Sequence, residues 1–338
     1  MLIRQLFDQD TFTYTYIVAD EVSKVAVLID PVLGQVDRDV KLLGELGLTL
    51  THVLDTHVHA DHVTGAGALR ERTTARLVAS TRGAECADTK AKHGDAIQVG
   101  SLTLEVLETP GHTDDSLSFV VGKNVFTGDA LLIRGTGRTD FQNGSSEQLW
   151  SSITDKLFAL PDDAVVWPGH DYRGFRSSTI GEEKLHNPRV SGRNKAEFLE
   201  IMAALKLPRP KYLEIAVPAN RECGLGVAPR ERPAEGYKDL AAKEAAAFAV
   251  EHEAMVLDVR EPHEFVGELG HVPGSINVPR GDISQAALDL SFDTPIVVVC
   301  RSGRRSRGVC EILAGRGFRS VVNMRGGMLE YRAMTPPA

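Results

Sequence analysis

The densest group of chemically competent side chains is the segment Thr56–His62, which reads THVHADH. It holds three histidines and one aspartate: His57, His59, His62 and Asp61. Imidazole and carboxylate groups are ligands for borderline divalent metals. The segment directly follows the apolar stretch HVLD, so we expect it to form a loop at the end of a strand. A loop lets several side chains converge on one point, whereas a straight strand directs alternate residues apart.

Three further ligand types each follow a glycine near the end of a strand-like stretch. They are His112 in TPGHT, Asp129 in FTGDA and His170 in WPGH. A preceding glycine is typical of a tight turn that can direct the next side chain into a cleft. A lone histidine is usually a structural or surface residue, and we interpret the other six histidines in that way. The loop and the three strand-end residues together predict a metal site.

A second reactive group lies in Val297–Ser306, which reads VVVCRSGRRS. An apolar strand ends at Cys300, and a helix is predicted to begin near Arg304–Ser306. Backbone N–H groups of such a loop, joined to a helix N-terminus, form an anion site that lowers the pKa of a thiol. This pattern predicts that Cys300 is a nucleophile. The loop residues expected to hold a persulfide or a sulfur oxyanion are Arg301, Ser302, Gly303, Arg304 and Arg305.

The other three cysteines lack this setting. Cys310 falls within an apolar helix, which favours a packing role, and Cys86 and Cys223 have no comparable basic neighbours. Four cysteines in 338 residues, with no CxxC pair, are too few for a disulfide scaffold. We therefore expect free thiols in a reducing compartment.

The charge and hydropathy of the chain exclude several classes of protein. The net charge of −8 argues against general nucleic-acid binding. The stretch 300–332 nevertheless carries eight arginines and two glutamates, which indicates either a solvated helix face or a site for small anions. The position of the arginines directly after Cys300 favours an anion site. No apolar stretch of membrane-spanning length and no secretory signal are apparent, so we expect no membrane association and a cytoplasmic location.

The order of elements predicts two α/β domains. Short strands alternate with helices, such as Val36–Leu46 and Glu147–Leu157, over about the first 170 residues. Residues 181–205 are expected to be helical, with a break at Asn187-Pro188. A stretch rich in Gly and Pro follows, and then strands and helices alternate again, starting with a helix over Tyr237–Glu251. We predict domains over 1–228 and 237–338 with a linker over 229–236.

The HxHxDH segment, the later histidines and Asp129 resemble the metallo-β-lactamase superfamily over residues 1–225. That resemblance implies an αββα sandwich that holds one or two metal ions. The sequences ALLIRGTGRTDFQNG, HDYRG and NPR are similar to those of persulfide dioxygenases, which are iron enzymes. The similarity implies one Fe(II) per chain, bound by His57, His112 and Asp129. It also implies residues that orient these ligands and handle protons: His59, Asp61, His62 and His170.

The same similarity implies that Arg138 and Tyr172 contact a glutathione-based substrate. An arginine offers a bidentate fork to one of the carboxylates of glutathione, and the Tyr172 hydroxyl can hydrogen-bond the tripeptide. The alternative for Arg138 is an ion pair with Asp140 or a helix cap.

The C-terminal part, 237–335, resembles the rhodanese family. The matching stretches are VLDVREPHEF, GHVPGSINVP and the six-residue loop that starts at Cys300. The resemblance implies a small, doubly wound parallel α/β domain that transfers sulfur through a persulfide on Cys300. We expect Asp258 and Arg260 to form a structural ion pair near this site.

Both halves therefore concern sulfane sulfur. The predicted function is oxidation of glutathione persulfide with O2 and water to sulfite and glutathione, fused to sulfur transfer between glutathione persulfide, thiosulfate and sulfite. One alternative is a dinuclear zinc thioesterase resembling glyoxalase II, fused to a rhodanese. A second alternative is that the rhodanese half is a docking module in which Cys300 has no chemical role. A homodimer is compatible with the sequence.

Overall fold

We describe a computed structural model of the chain, in which residues 1–8, 10–205, 207, 212–225, 236–283 and 290–334 are described. The chain divides into two compact units, Met1–Pro229 and Arg230–Ala338. The division falls within the predicted linker 229–236, of which residues 229–235 lie outside the described residues.

Two six-stranded sheets form the first unit. The first sheet contains, in spatial and chain order, β1 Leu2–Phe7, β2 Tyr14–Asp20, β3 Val25–Ile29, β4 Thr49–Leu54, β5 Arg76–Ser80 and β6 Thr89–Ala91. The second sheet contains β7 Ala96–Val99, β8 Leu102–Glu108, β9 Leu117–Val121, β10 Asn124–Gly128, β11 Val165–Pro168 and β12 Ser178–Thr179. Strands β3 to β6 are parallel to one another, and in the second sheet β10 and β11 are parallel.

The two sheets pack face to face through apolar side chains. Val18 and Ile29 from the first sheet share one fully buried cluster with Phe119 and Phe126 from the second. Burying a side chain of this size is worth about 1.5–3 kcal/mol, so the cluster strongly favours docking of the sheets.

Helices cover the outer faces of both sheets. On the first sheet they are α1 Val36–Glu45 and α2 Ala66–Thr73. On the second sheet they are α3 Ser146–Ser151, which continues as a wider helical segment Ser152–Leu157, and α5 Lys195–Ala203. The unit is therefore a four-layered αββα sandwich, which confirms the predicted fold.

The predicted break near residue 187 separates two helices. Helix α4 (Ile180–His186) ends directly before Asn187, whose extended ψ of 113° is typical of a residue that precedes proline. Helix α5 then begins with a capping box in which Asn194 and Glu197 satisfy each other's backbone N–H groups. Helix α6 (Leu213–Arg221) is the last helix among the described residues of this unit.

The second unit contains one parallel five-stranded sheet. Its strands are β13 Lys238–Ala241, β14 Met255–Asp258, β15 Ile276–Asn277, β16 Ile296–Val299 and β17 Val321–Arg325, in the spatial order β13-β17-β16-β14-β15. The α-helices among its described residues are α7 Ala242–Glu251, α8 Pro262–Phe265, α9 Arg304–Gly315 and α10 Gly327–Met334. Helix α9 packs on one face of the sheet, and α7 and α10 pack on the other. The predicted doubly wound fold is confirmed.

One helix boundary was predicted wrongly. The helix expected over Tyr237–Glu251 begins only at Ala242, because Lys238–Ala241 pairs in parallel with β17 as an edge strand. Its four residues, KDLA, do not alternate between apolar and polar side chains, so the sequence pattern did not indicate a strand. Among the described residues, no helix combines the length and apolar character needed to cross a membrane.

Candidate metal site and reactive cysteine

Three of the predicted metal ligands converge where the two sheets meet. His57 follows β4 of the first sheet, whereas His112 and Asp129 follow β8 and β10 of the second. One donor atom from each lies within 4.8 Å of the other two. Nε2 of His112 is 3.6 Å from Oδ2 of Asp129. The strand ends thus bring together residues that are far apart in the chain.

Hydrogen bonds at the outer ring nitrogens determine which atoms the two histidines offer. Nδ1 of His112 lies 2.7 Å from the backbone oxygen of Arg138, which can only accept, so Nε2 keeps a free lone pair. Nδ1 of His57 lies 3.0 Å from the Thr56 hydroxyl, whose own proton is donated to Asp30. Nε2 of His57 is therefore also free. Burial and the neighbouring His59 hold the pKa of His57 well below its usual range, so the ring is neutral.

The third donor is kept ionised by His170. Burial raises the pKa of Asp129, but the imidazoles of His170, His112 and His57 together outweigh burial and lower that pKa. Nδ1 of His170 lies 2.7 Å from Oδ1 of Asp129, and its Nε2 lies 2.9 Å from Oδ2 of Asp61. Burial alone would lower the pKa of His170, but the Asp129 carboxylate raises it well above its usual range. Two imidazoles and one carboxylate fit a divalent metal ion.

The remaining residues of the HxHxDH loop form a second group. Donor atoms of His59, Asp61 and His62 also lie within 4.8 Å of one another. Nδ1 of His59 and Nε2 of His62 are buried and have no hydrogen-bond partner among the described residues. Nε2 of His59 lies 3.1 Å from Asp30, whose carboxylate raises the pKa of His59 to about 9 against the effect of burial. The two unpaired nitrogens keep the two-metal alternative open.

In the second unit, Cys300 directly follows β16 and begins a tight loop. Gly303 is the N-cap of α9 with a φ of +82°, a left-handed conformation that favours glycine. Burial raises the pKa of the Cys300 thiol. The Ser306 side chain and the backbone N–H groups of Ser306, Ser302 and Arg305 outweigh burial and lower it. The loop therefore favours a thiolate, and the role of Cys300 as a nucleophile stays a prediction.

The basic residues of this loop differ in their surroundings. Arg305 is committed to a bidentate ion pair with Glu264, with both N···O distances at 2.7 Å. Arg301 and Arg304 have exposed side chains and can meet an incoming anion. Asp258 and Arg260 form the expected buried ion pair, with Nη2 of Arg260 2.6 Å from Oδ2 of Asp258.

Comparison with known proteins supports both halves of this description. The Metallo-beta-lactamase superfamily profile matches residues 9–85 and 87–170, and the Rhodanese-like domain profile matches residues 240–334. The mitochondrial persulfide dioxygenase ETHE1 of Bos taurus is 45% identical over 233 residues, which are 68% of this chain and 91% of the relative. The chain belongs to the persulfide dioxygenase family.

Two solved structures extend the comparison within and beyond the persulfide dioxygenase family. ETHE1 from Myxococcus xanthus is 61% identical, with a TM-score of 0.66, and the match covers 66% of this chain and all of that one. A metallo-beta-lactamase from Staphylococcus aureus is 25% identical, with a TM-score of 0.70, and the match covers 96% of this chain and 98% of that one. The second match thus includes the rhodanese-like unit as well.

The two residues predicted to contact substrate, Arg138 and Tyr172, lie beside histidines of the candidate metal site. The side chain of Arg138 pairs with Asp140 at 2.6 Å, the alternative contact considered from the sequence, while its backbone oxygen holds His112. Tyr172 is 65% exposed, and its ring lies parallel to that of His170 with centroids 6.0 Å apart. Both residues thus touch a metal-site histidine, and their contact with substrate stays a prediction.

Three residues hold the HxHxDH loop in place, and the sequence analysis did not predict them. Asp30 accepts hydrogen bonds from the backbone and hydroxyl of Thr56. Asp115 accepts one from the backbone N–H of Val58 at 2.9 Å. Asn220 bonds three backbone groups of the loop. Asp30 ends an apolar strand, which was an available signal, but nothing near Asn220 in the chain indicated its role.

The expectation of four free thiols was wrong. Cys86 and Cys223 form a disulfide across 137 residues of chain, whereas Cys300 and Cys310 are free and buried. A pair so far apart in the chain carries no spacing signal, so counting cysteines missed it. Cys310 packs among apolar residues as predicted, and burial raises the pKa of its thiol.

Proposed function

We propose that the first unit is an iron-dependent glutathione persulfide dioxygenase. The reaction is GSSH + O2 + H2O to sulfite and GSH. The observation that carries the proposal is the set of three donors, in which His57 and His112 present free Nε2 atoms beside the ionised Asp129. A bound Fe(II) would supply the redox chemistry and the open positions at which O2 and a persulfide sulfur can react.

The surrounding residues maintain this donor set. His170 holds a proton between Asp129 and Asp61, which keeps the Asp129 carboxylate ionised and fixed in orientation. Residues of the second donor group, His59, Asp61 and His62, orient the loop and offer proton-binding atoms close to the reacting groups. Arg138 would exchange part of its contact with Asp140 for a carboxylate of glutathione, and Tyr172 would hydrogen-bond the tripeptide.

For the second unit, we propose sulfur transfer through Cys300. The Cys300 thiolate attacks the outer sulfur of thiosulfate, the S–S bond breaks, and sulfite leaves as Cys300 becomes a persulfide. A glutathione thiolate then attacks the outer sulfur of that persulfide. The products are glutathione persulfide and the free Cys300 thiolate, so the cycle consumes no external oxidant. Arg301 and Arg304 attract the anionic substrate, and the backbone N–H groups of the loop hold the outer sulfur.

The two proposed reactions share their reactants. Sulfite released by the dioxygenase is a sulfur acceptor for the rhodanese-like unit, and glutathione persulfide is common to both. A cytoplasmic location and a homodimer complete the proposal. Size-exclusion chromatography with light scattering tests the dimer.

Metal analysis combined with O2 uptake tests the dioxygenase. We expect about one iron per chain and O2 consumption with glutathione persulfide. Replacing His112 with Ala should remove both, whereas replacement of the exposed His186 with Ala should change neither. The unpaired His59 and His62 nitrogens favour one competing function, a dinuclear zinc thioesterase. About two zinc ions per chain, thioester hydrolysis and no O2 uptake would overturn the proposal in its favour.

Cysteine substitution tests the transferase. We expect Cys300→Ser to abolish thiosulfate:glutathione sulfur transfer, while Cys310→Ala keeps it because that thiol is confined to the core. Full transfer by Cys300→Ser would instead support the alternative that this unit is a docking module.

A further inference from the structure

Ser306 has one hydroxyl proton and two acceptors within reach. Its Oγ atom lies 2.6 Å from Oδ1 of Asn323 and 3.4 Å from Sγ of Cys300. Ser306 and Asn323 are both buried. A hydroxyl carries a single O–H, so a bond donated to Asn323 cannot at the same time be donated to the sulfur. The two acceptors therefore compete, and the shorter distance favours Asn323.

The orientation of the Asn323 amide follows from its other contacts. Nδ2 lies 2.6 Å from Oδ1 of Asp239 and 3.2 Å from the backbone oxygen of Gly303. Carboxylate and carbonyl oxygens only accept, so the amide nitrogen must face them, and Oδ1 must face Ser306. Asp239 is itself held by an ion pair with Arg307 at 2.8 Å. Asn323 is thus a fixed acceptor anchored on β17.

We propose that Asn323 is a positioning residue that draws the Ser306 proton away from the Cys300 sulfur and so limits how strongly that sulfur is stabilised. The proposal rests on the proposed role of Cys300 as the sulfur-carrying nucleophile. In the thiol form, the S–H group donates to the Ser306 oxygen. After deprotonation or persulfide formation, the sulfur must compete with Asn323 for the hydroxyl proton.

This competition is useful for sulfur transfer because an over-stabilised thiolate is a weaker nucleophile. The backbone N–H groups of the loop already favour the anion. A further full hydrogen bond from Ser306 would raise the thiolate fraction but lower its intrinsic reactivity. The other titratable groups acting on the sulfur are Arg305, with its partner Glu264, and the Cys310 thiol. Asp239 also faces this cluster, since it accepts a hydrogen bond from Nδ2 of Asn323 and pairs with Arg307, and Asn323→Leu removes the first of these contacts.

The test is the pH dependence of iodoacetamide alkylation at Cys300 in the full chain, in a Cys310→Ala background. Asn323→Leu removes the acceptor at similar volume and returns the proton to the sulfur. We expect it to raise the thiolate fraction below the midpoint about three- to tenfold, the equivalent of one hydrogen bond. Ser306→Ala removes the hydroxyl through which Asn323 acts, so in that background the residue at position 323 should no longer affect the thiolate fraction. The thiosulfate:glutathione transfer rate should change with both substitutions.

The double variant separates positioning from a structural role. If Asn323 acts through Ser306, the pH profile of Ser306→Ala/Asn323→Leu matches that of Ser306→Ala alone. A further shift in the double variant, or an upward shift of the Cys300 pKa by Asn323→Leu, would overturn the proposal. If Asn323→Leu does not fold, Asn323→Ala allows the same comparison. Failure of Cys300 as nucleophile would appear separately, as sulfur transfer that survives Cys300→Ser.

Discussion

Gly169 packs directly against Asp129, so closely that a Cβ atom on Gly169 would lie 2.7 Å from Oδ1 of the carboxylate. It would also lie 3.0 Å from the backbone carbon of Gly128. Real Cβ atoms do not approach other atoms this closely, so one side must move. Because Asp129 is the carboxylate donor of the proposed iron site, Gly169 is required for that donor's position.

We therefore expect Gly169→Ala to weaken metal binding by at least about tenfold, the effect typical of displacing a ligand's support. Competition with a chelator measures it. The matched substitution is Gly44→Ala in α1, where a Cβ meets nothing within 4 Å. It should leave metal affinity unchanged and stabilise the helix by about 0.5–1 kcal/mol. Equal metal affinity in Gly169→Ala and the parent would show that the site tolerates the shift.

Asn220 supports the HxHxDH loop through three backbone contacts. Its Nδ2 donates to the backbone oxygens of His59 and His62 at 2.9 and 2.8 Å, and its Oδ1 accepts from the N–H of Thr64 at 2.8 Å. Asn220→Ala leaves these buried groups unpaired, so metal affinity should fall about 10- to 100-fold. Asn194→Ala is the control, since it removes only the exposed cap of α5. If both variants bind metal equally, Asn220 does not support the site.

The Cys86–Cys223 disulfide determines how many free thiols the chain should show in a thiol titration. In denaturant without reductant, we expect two reactive thiols per chain, from Cys300 and Cys310, and four after reduction. The closed loop of 137 residues restricts the unfolded chain, so reduction should lower the stability of the first unit by about 2–4 kcal/mol. The Cys86→Ser/Cys223→Ser variant should not respond to reductant. Four thiols in the unreduced chain would contradict the assignment.

The buried Asp39 should make the free energy of unfolding depend on pH. It is fully buried in α1, and burial raises its pKa from 3.8 to about 6 despite the attraction of Arg38. The folded state therefore holds the proton more tightly than the unfolded state. The penalty is absent below about pH 3.8, grows as pH rises to about 6, and is then constant.

Asp39→Asn should accordingly raise the free energy of unfolding at pH 7.5 by roughly 2–3 kcal/mol and have a much smaller effect near pH 4. Urea unfolding at the two pH values measures the difference. Asp37→Asn is the control, because that neighbouring aspartate is exposed. A gain that is equal at both pH values would show that the Asp39 charge is not its cause.

Local patterns account for what could be predicted. The HxHxDH loop and the cysteine loop each lie within ten residues of chain, and each follows an apolar strand that the sequence makes visible. Alternating strands and helices predicted two α/β domains, whereas the αββα sandwich was implied by the family resemblance that the HxHxDH motif carries. The short edge strand β13 failed as a prediction because four residues show no period.

The supports of the site could not be predicted, because they come from distant parts of the chain. Asn220 contacts His59 across 161 residues, and Asp115 contacts Val58 across 57. A single asparagine or aspartate carries no local sign of such a contact. The same holds for Asn323, whose significance depends on how β17 lies beside the helix that begins after Cys300.

The division of the donor set between two sheets has a further consequence. His57 belongs to one layer of the sandwich, and His112 and Asp129 belong to the other, so neither layer alone supplies this set of three donors. A bound metal ion would therefore join the two layers, and the affinity of the protein for that ion would depend on how well the layers are aligned. Substitutions in the core shared by the two sheets, far from any metal ligand, should therefore lower the metal affinity before they unfold the protein.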